Sequence, residues 1–457
     1  MTATPSRSSE PQTTPPGPEF DPAPVHDLPL VTADLPGIGG RIRQRPEDFL
    51  VEESPLYQPC GEGEHIYLLL EKKNLSTHQL VGIVAKHFGV RRQAVGYAGM
   101  KDKNAITRQV MSIHVPGKSV DDFPMLQHPG VTVLWADMHT NKLRLGHLRG
   151  NRFSIRIREV PSTAVLNANK TLGVLARHGV PNFFGEQRFG IRLSNHRLGR
   201  LDLMHDWRGV LDELLGPDPD YPHLNTASRA CYAKGDYENA WRSFPSSQRS
   251  ERAALRALMR GATPRRAVQA ITDTDRHFWI SAFQSAVFNR VVAARMNDPE
   301  LGLGRLVEGD LACRHANGAV FRITAEELEK TELVERLEKF EISPSGPIWG
   351  PRMTRAFARI GAMEEEAFKA SGVPDEALER AARRFSSLSG QRRPVRVPII
   401  DPEIEGGVDE HGSFVRLAFE LPAGSFATIV LREVMKTGIV DPAPVADDEP
   451  MAESESE

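Results

Sequence analysis

One carboxylate, Asp102, stands between Lys101 and Lys103, directly after a glycine-containing turn in the run Gly96-Tyr97-Ala98-Gly99-Met100-Lys101-Asp102-Lys103. Two cations beside one acid favour its ionised form. An ionised aspartate can act as a nucleophile or as an electrostatic stabiliser. The lysines could also draw a polyanion towards it. A solvated turn with mixed charges fits the same residues, and spacing alone leaves both readings open.

Two further stretches combine aromatics with directional polar groups. Residues 180–190 read Val-Pro-Asn-Phe-Phe-Gly-Glu-Gln-Arg-Phe-Gly, and residues 421–428 read Leu-Pro-Ala-Gly-Ser-Phe-Ala-Thr. Phenylalanines are core residues by default. Aromatics beside Asn182, Gln187 and Arg188 are also what a site needs to stack a flat base and bind its edges. In residues 152–160, Phe153, Ile155 and Ile157 alternate with Arg152, Ser154, Arg156 and Arg158, which is a strand with one apolar face. The arginine face fits a solvated sheet surface or an RNA-backbone contact.

Other chemistries are poorly supported. Gly117-Lys118-Ser119 ends like a phosphate-binding loop, but Ser112 stands where that motif needs glycine. Gly37, Gly39 and Gly40 form no dinucleotide fingerprint. The histidines show no metal-ligand spacing, so no metal site is expected. Cys60, Cys231 and Cys313 are too scattered for a disulfide framework, which favours a reducing, cytoplasmic setting.

The elements that must position these residues are mixed. Strands are expected over 41–53, Ile66–Leu70, Val110–Val115, Val131–Trp135, Val395–Ile400 and Phe414–Leu421. Ser76 and Gln79 have capping-box spacing ahead of a helix that stops near Gly89. Further helices are expected over Ala164–His178, 276–296, Ala325–Lys339 and Met363–Ala382. Residues 201–270 are polar and read as loop-rich. The composition turns from β-rich to α-rich near 205 and back near 390, as when one domain is inserted into another. The Pro-rich residues 1–36 and the acidic residues 441–457 read as disordered tails.

The chain has 457 residues, 40% hydrophobic and 26% charged, which is ordinary for a globular protein. No apolar run approaches the roughly 20 residues of a membrane-spanning helix. The formal charge is -3, but residues 1–36 carry -4 and residues 441–457 carry -7, so the body from 37 to 440 carries +8. A basic body permits an anionic partner such as RNA without demanding one.

Taken in order, these blocks resemble the TruD family of tRNA pseudouridine synthases. The resemblance is carried by Pro46-Glu47-Asp48-Phe49, by Ala98 to Lys103 with Ala105, Thr107 and Gln109, and by Lys142-Leu143-Arg144-Leu145-Gly146. Gly150-Asn151, Asn182-Phe183-Phe184-Gly185, Gln187-Arg188-Phe189-Gly190 and Leu421 to Thr428 complete it. Each block is weak alone; the ordered set, spanning roughly 41–436, is specific. It implies an α+β fold: a pseudouridine synthase core, with a mixed and largely antiparallel sheet flanked by helices, and an inserted α/β TRUD domain. The core would comprise 37–204 and 391–440, and the insertion 205–390.

The resemblance also implies a catalytic Asp102. It implies an Asn182 that organises the site, and Phe49, Phe184 and Phe426 as substrate contacts. The substrate would be tRNA, with uridine 13 the usual target, and no cofactor or metal would be used. Lys101, Lys103, Arg152, Arg156 and Arg158 are the candidates for the RNA backbone. No motif points to a protein partner or a membrane, and a monomer is expected.

The implied isomerisation breaks the N1–C1′ bond, turns the uracil and joins C5 to C1′. The base must be flipped out of its stem and enclosed while detached. Phe184 lacks the hydroxyl that would otherwise be a candidate for taking the C5 proton, leaving Asp102 or water. Two rivals remain at this stage: a non-catalytic RNA-binding protein on the same scaffold, and a hydrolase that uses Asp102 with a second carboxylate.

Overall fold

The computed structural model describes residue 25 and residues 27–102 and 105–437. Alternating apolar residues build most of a mixed eight-stranded sheet from the first third of these residues: β1 (Phe49–Pro55), β2 (His65–Lys73), β3 (Val95–Tyr97), β4 (Ile106–His114), β5 (Val131–His139) and β6 (Leu148–Arg158). The strands Ile400–Asp409 and Gly412–Pro422 return from the far end of the chain and complete it. From edge to edge the order is Ile400–Asp409, Gly412–Pro422, β6, β1, β4, β2, β5, with β3 paired on β4. Among the described residues of this sheet, β1 and β4 alone pair in parallel.

Period-two patterning fixes what each face meets. Phe49 and Val51 of β1 lie opposite Ile155 and Phe153 of β6, and Leu417 and Phe419 of the C-terminal hairpin continue the row. This face buries against the helices Val165–His178 and Ala427–Met435 through Leu172, Leu175, Val430 and Val434. A second core joins β2, β3, β4 and β5 to the helix Thr77–His87, which begins at the expected capping box on Ser76 and Gln79.

Between the two parts of the sheet, the chain runs through helices and a small sheet ordered Gln391–Pro394, Ile342–Ile348, Leu311–Arg314, Val320–Arg322. The helix Asp273–Asn297 is apolar on most sides, as an enclosed helix must be. It packs on Ile342–Ile348, and its Phe288 joins the first core.

Several expectations need correction. Residues 201–270 are not loop-rich: they form short helices, including Trp207–Leu215, Thr226–Ala233, Tyr237–Ser243, Arg249–Met259 and Pro264–Gln269, around Val210, Leu214, Phe244 and Leu255. Their individual lengths of 6–11 residues are too short to show a sustained helical period. Ala325–Lys339 is two helices, Ala325–Leu328 and Thr331–Glu338. Met363–Ala382 is likewise broken, into Ala358–Lys369 and Asp375–Arg384, because Pro374 starts a new helix after Gly372.

The N-terminal tail is ordered from Leu28 onward. The Thr32 hydroxyl donates to Glu433 Oε2 at 2.6 Å, the Val31 amide donates to Glu433 Oε1 at 2.8 Å, and Lys436 also bonds to Thr32. These bonds satisfy a buried carboxylate that a free tail would strand. The expected disorder of 441–457 and of 1–24 concerns residues outside those described. No helix among the described residues is long and apolar enough to cross a membrane.

Candidate active site

Asp102 ends the loop that leaves β3 at Ala98, ahead of β4. Three polar tethers hold the backbone of this loop. Lys72 of β2 is fully buried, and its ammonium donates to the carbonyls of Asp102 at 2.7 Å and Leu75 at 2.6 Å. Burial pushes the Lys72 amine down to about 8, although the Asp102 charge opposes that shift. The Lys101 amide donates to Thr77 Oγ1 at 2.9 Å, and the Gly146 amide donates to the Ala98 carbonyl at 2.8 Å.

The Asp102 side chain is 43% exposed and points into a cavity of about 270 Å³. Arg43 donates from Nη2 to Asp102 Oδ2 at 3.0 Å, and Gln187 donates from Nε2 to the same oxygen at 3.3 Å. Oδ1 accepts no hydrogen bond among the described residues. Among the described residues, one carboxylate oxygen is therefore anchored and the other is left open. Arg43 is itself held against aromatic surface, 4.4 Å from the Phe49 ring centroid. Phe49, Phe153 and Phe426 share the cavity wall with Arg43 and Gln187.

The flanking lysines do not both serve the surface. Lys101 turns away from Asp102 and pairs with Glu53 of β1 at 2.5 Å, with side-chain exposures of 5% and 2%. Glu53 Oε2 accepts from the Val110 amide at 3.0 Å. Burial pushes the Glu53 carboxyl up, against the pull of Lys101. Lys101 is thus corrected from an RNA-backbone candidate to half of a buried ion pair. Lys103 lies outside the described residues.

The arginine face of β6 is also revised. Arg158 is buried in a two-sided fork: Nε and Nη2 donate to Asp48 at 2.7 Å, and Nη1 and Nη2 donate to Asp409 at 2.9 Å. It cannot reach a phosphate without breaking four charge-assisted bonds. Arg152 bonds to Glu403 at 2.6 Å, and Arg156 lies 3.5 Å from Asp409. Both are partly exposed, but carboxylates of Ile400–Asp409, the strand beyond Gly412–Pro422, already compensate them.

The 180–190 stretch is positioned from two sides. Asn289 of the long helix accepts from the Phe184 amide at 2.8 Å and donates to its carbonyl at 2.9 Å. Gly185 approaches the helix that begins at Ala427 so closely that a Cβ there would meet Thr428 Oγ1 at 2.8 Å. Phe183 is fully buried. Phe184 is half-buried, with its ring 6.0 Å from Phe426 and 5.7 Å from Phe288. It stands behind Phe426 and is not on the wall of the Asp102 cavity.

Asn182 does not touch Asp102. Its amide donates to the Pro394 carbonyl at 2.9 Å, and its Oδ1 accepts from Arg393 at 2.5 Å. Arg393 also donates to the Gly424 carbonyl at 2.8 Å, ahead of Phe426. Through Arg393, Asn182 ties its own segment to the turn that presents Phe426.

Arg43, Gln187, Lys72, Glu53 and Arg393 were not singled out as site residues by the motifs. Gln187 did carry a signal, as an amide set among aromatics. Glu53 carried another: it falls in phase with Phe49 and Val51 on the inward face of β1, and a buried acid demands a buried partner.

The family model for tRNA pseudouridine synthase D (TruD) matches residues 26–434. The chain is 42% identical over 413 residues to the tRNA pseudouridine synthase D of Geobacter sulfurreducens, covering 90% of this chain and 97% of that one. It is 38% identical to that of Thermus thermophilus over 415 residues, with 90% and 93% covered. The crystal structure of a Methanosarcina mazei protein assigned as tRNA pseudouridine synthase D superposes with a TM-score of 0.73 at 28% identity, covering 92% of this chain and 98% of that one. With the aspartate loop, the aromatic wall and the two-part sheet in the same chain, these matches show that it belongs to the TruD family of tRNA pseudouridine synthases.

Proposed function

We propose that this protein isomerises uridine to pseudouridine in tRNA, at position 13, with Asp102 as the catalytic residue. The observation that carries this reading is the Asp102 carboxylate itself. Arg43 and Gln187 hold Oδ2, Oδ1 accepts no hydrogen bond among the described residues, and the side chain lines an aromatic cavity. The cavity, about 270 Å³, is near the lower end of the roughly 300–1,000 Å³ that small-molecule sites occupy. It suits one flipped nucleotide. Phe49 and Phe426 supply apolar surface for the base, and Phe184 backs Phe426.

In this reading Oδ1 forms a bond to sugar or base that breaks again as C5 is joined to C1′, or it takes a sugar proton to give a glycal and returns that proton as C5 is joined. The N1–C1′ bond breaks, the uracil turns within the aromatic enclosure, and C5 bonds to C1′. The C5 proton leaves to Asp102 or water, and N1 takes up a proton. Arg43 keeps the carboxylate oriented.

A two-carboxylate hydrolase is less well supported, because Asp102 is the single acid among the described residues that line the cavity. The free cysteines fit a reducing cytoplasm, and the catalytic core is read as 37–204 with 391–440.

The test incubates tRNA tritiated at uridine C5 with the protein and with Asp102→Asn. Tritium release by wild type alone, mapped to position 13, supports the proposal. Binding of tRNA by both proteins with release by neither leaves a non-catalytic RNA binder. Free base or sugar among the products would point to hydrolysis.

A further inference from the structure

Most arginines around the site are neutralised by carboxylates. Arg43 pairs with Asp102, Arg108 with Glu52 and Glu71, Arg152 with Glu403, and Arg158 with Asp48 and Asp409. Two others differ. Arg188 donates from Nε to Ser285 Oγ at 3.0 Å, and its guanidinium carbon lies 5.6 Å from the Phe184 ring centroid and 5.0 Å from that of Phe278. Arg393 donates to the Asn182 carbonyl and amide oxygens and to the Gly424 carbonyl, 4.3 Å from the same Phe184 ring centroid. Among the described residues, neither guanidinium has a carboxylate within ion-pairing distance.

Two cations therefore share one aromatic ring with neutral partners only. Burial pushes Arg188 down to about 10 and Arg393 to about 9, and Arg188 lowers Arg393 further by repulsion. Both remain charged near neutral pH. Partly desolvated cations held together without an acid leave charge for an anion to neutralise. The backbone supplies the register. Gln187 and Arg188 are consecutive residues of one tight turn, Glu186–Arg188, so the turn that holds Asp102 also carries the uncompensated cation.

We propose that Arg188 and Arg393 form a phosphate-binding subsite for the RNA backbone, beside Phe184 and outside the wall of the Asp102 cavity. It takes a phosphodiester next to the flipped nucleotide and fixes the distance between backbone and acid. This inference rests on the RNA substrate proposed above. Arg188 is the better probe, because Arg393 also ties two chain segments together.

The experiment measures tRNA affinity as a function of salt in the Asp102→Asn background, so that no substrate is converted. Arg188→Gln is compared with Arg188→Lys. Arg188→Gln is expected to weaken binding roughly tenfold at about 0.1 M salt. The slope of log affinity against log salt should fall by about one. Arg188→Lys retains the charge and should retain the slope. An unchanged slope in Arg188→Gln, or equal loss of slope in both variants, overturns the subsite. A purely structural Arg188 would lower the melting temperature and leave the slope alone. Tritium release by wild type together with an unchanged slope refutes the subsite only. tRNA binding without release, with the slope lowered by Arg188→Gln, refutes the catalytic reading and keeps the subsite. Failure of wild type to bind tRNA refutes both.

Discussion

Replacing Lys101 with methionine removes the partner of a carboxylate that has almost no contact with water. Glu53 would keep the Val110 amide and lose the ammonium at 2.5 Å. Breaking one side of a buried pair costs about 3–5 kcal/mol. For a cooperative unit of roughly 150–250 residues this corresponds to a fall in melting temperature of about 6–20 °C. The loss has a defined pH dependence. Glu53 already titrates above its ordinary value in the folded protein, and removing Lys101 raises it further. In that range the folded state binds more protons than the unfolded one, so stability falls as pH rises through the shifted value. The deficit of Lys101→Met should therefore shrink as pH is lowered towards about 4.3, the value of an unperturbed glutamate. Adding Glu53→Gln should recover part of the loss at neutral pH, because a neutral amide carries no stranded charge. Thermal melts from pH 5 to 8 on the four proteins of this cycle measure the effect. If Lys101→Met melts like wild type, and its tRNA binding loses about one unit of salt slope, Lys101 faces the RNA and the buried pair is wrong.

Other outcomes follow from the same geometry. Arg43→Ala should slow single-turnover tritium release about 10- to 150-fold, since a hydrogen bond to a charged group contributes about 1.5–3 kcal/mol. Arg43→Lys should retain more of the rate, and equal rates for wild type and Arg43→Ala would remove Arg43 from the mechanism. The adjacent phenylalanines should separate: Phe183→Ala, in the core, is expected to cost about 3–5 kcal/mol in urea unfolding. Phe184→Ala should cost less stability and more turnover, and the reverse ranking would make Phe184 a core residue.

Much of the sheet was legible because its strands alternate strictly. The inward set Phe153, Ile155 and Ile157 is buried as the alternation requires. The helix after Ser76 was legible from its cap. The short helices of 201–270 were not, although Asp206, Asp236 and Thr263 each cap one of them. A cap is visible in sequence only to a reader already expecting a helix, and Pro217, Pro219 and Pro222 argued for loops. At the site, Asp102 could be singled out by its neighbours. Which neighbour touches it could not, because that depends on how the loop turns. Lys101 is adjacent in sequence and points elsewhere, whereas Arg43 arrives from a remote segment in a left-handed backbone conformation. Charge pattern along β6 likewise said nothing of Glu403 and Asp409, which reach it only through the hairpin at the far end of the chain.

That hairpin has a consequence for how the protein is made. The carboxylate and Arg43 come from the first quarter of the chain, while Phe426 comes from its last tenth. The clasp between Thr32 and Glu433 joins residues 401 apart in sequence. A ribosome delivers the N-terminal strands first, and β6 then waits with its Gly412–Pro422 edge unpaired until nearly all the protein has emerged. The part of the cavity wall around Phe426 cannot form before then. An incomplete chain would carry Asp102 without Phe426, so the cavity wall is completed only when synthesis is almost finished. The exposed edge of β6 is meanwhile the place where such a chain is most open to mispairing.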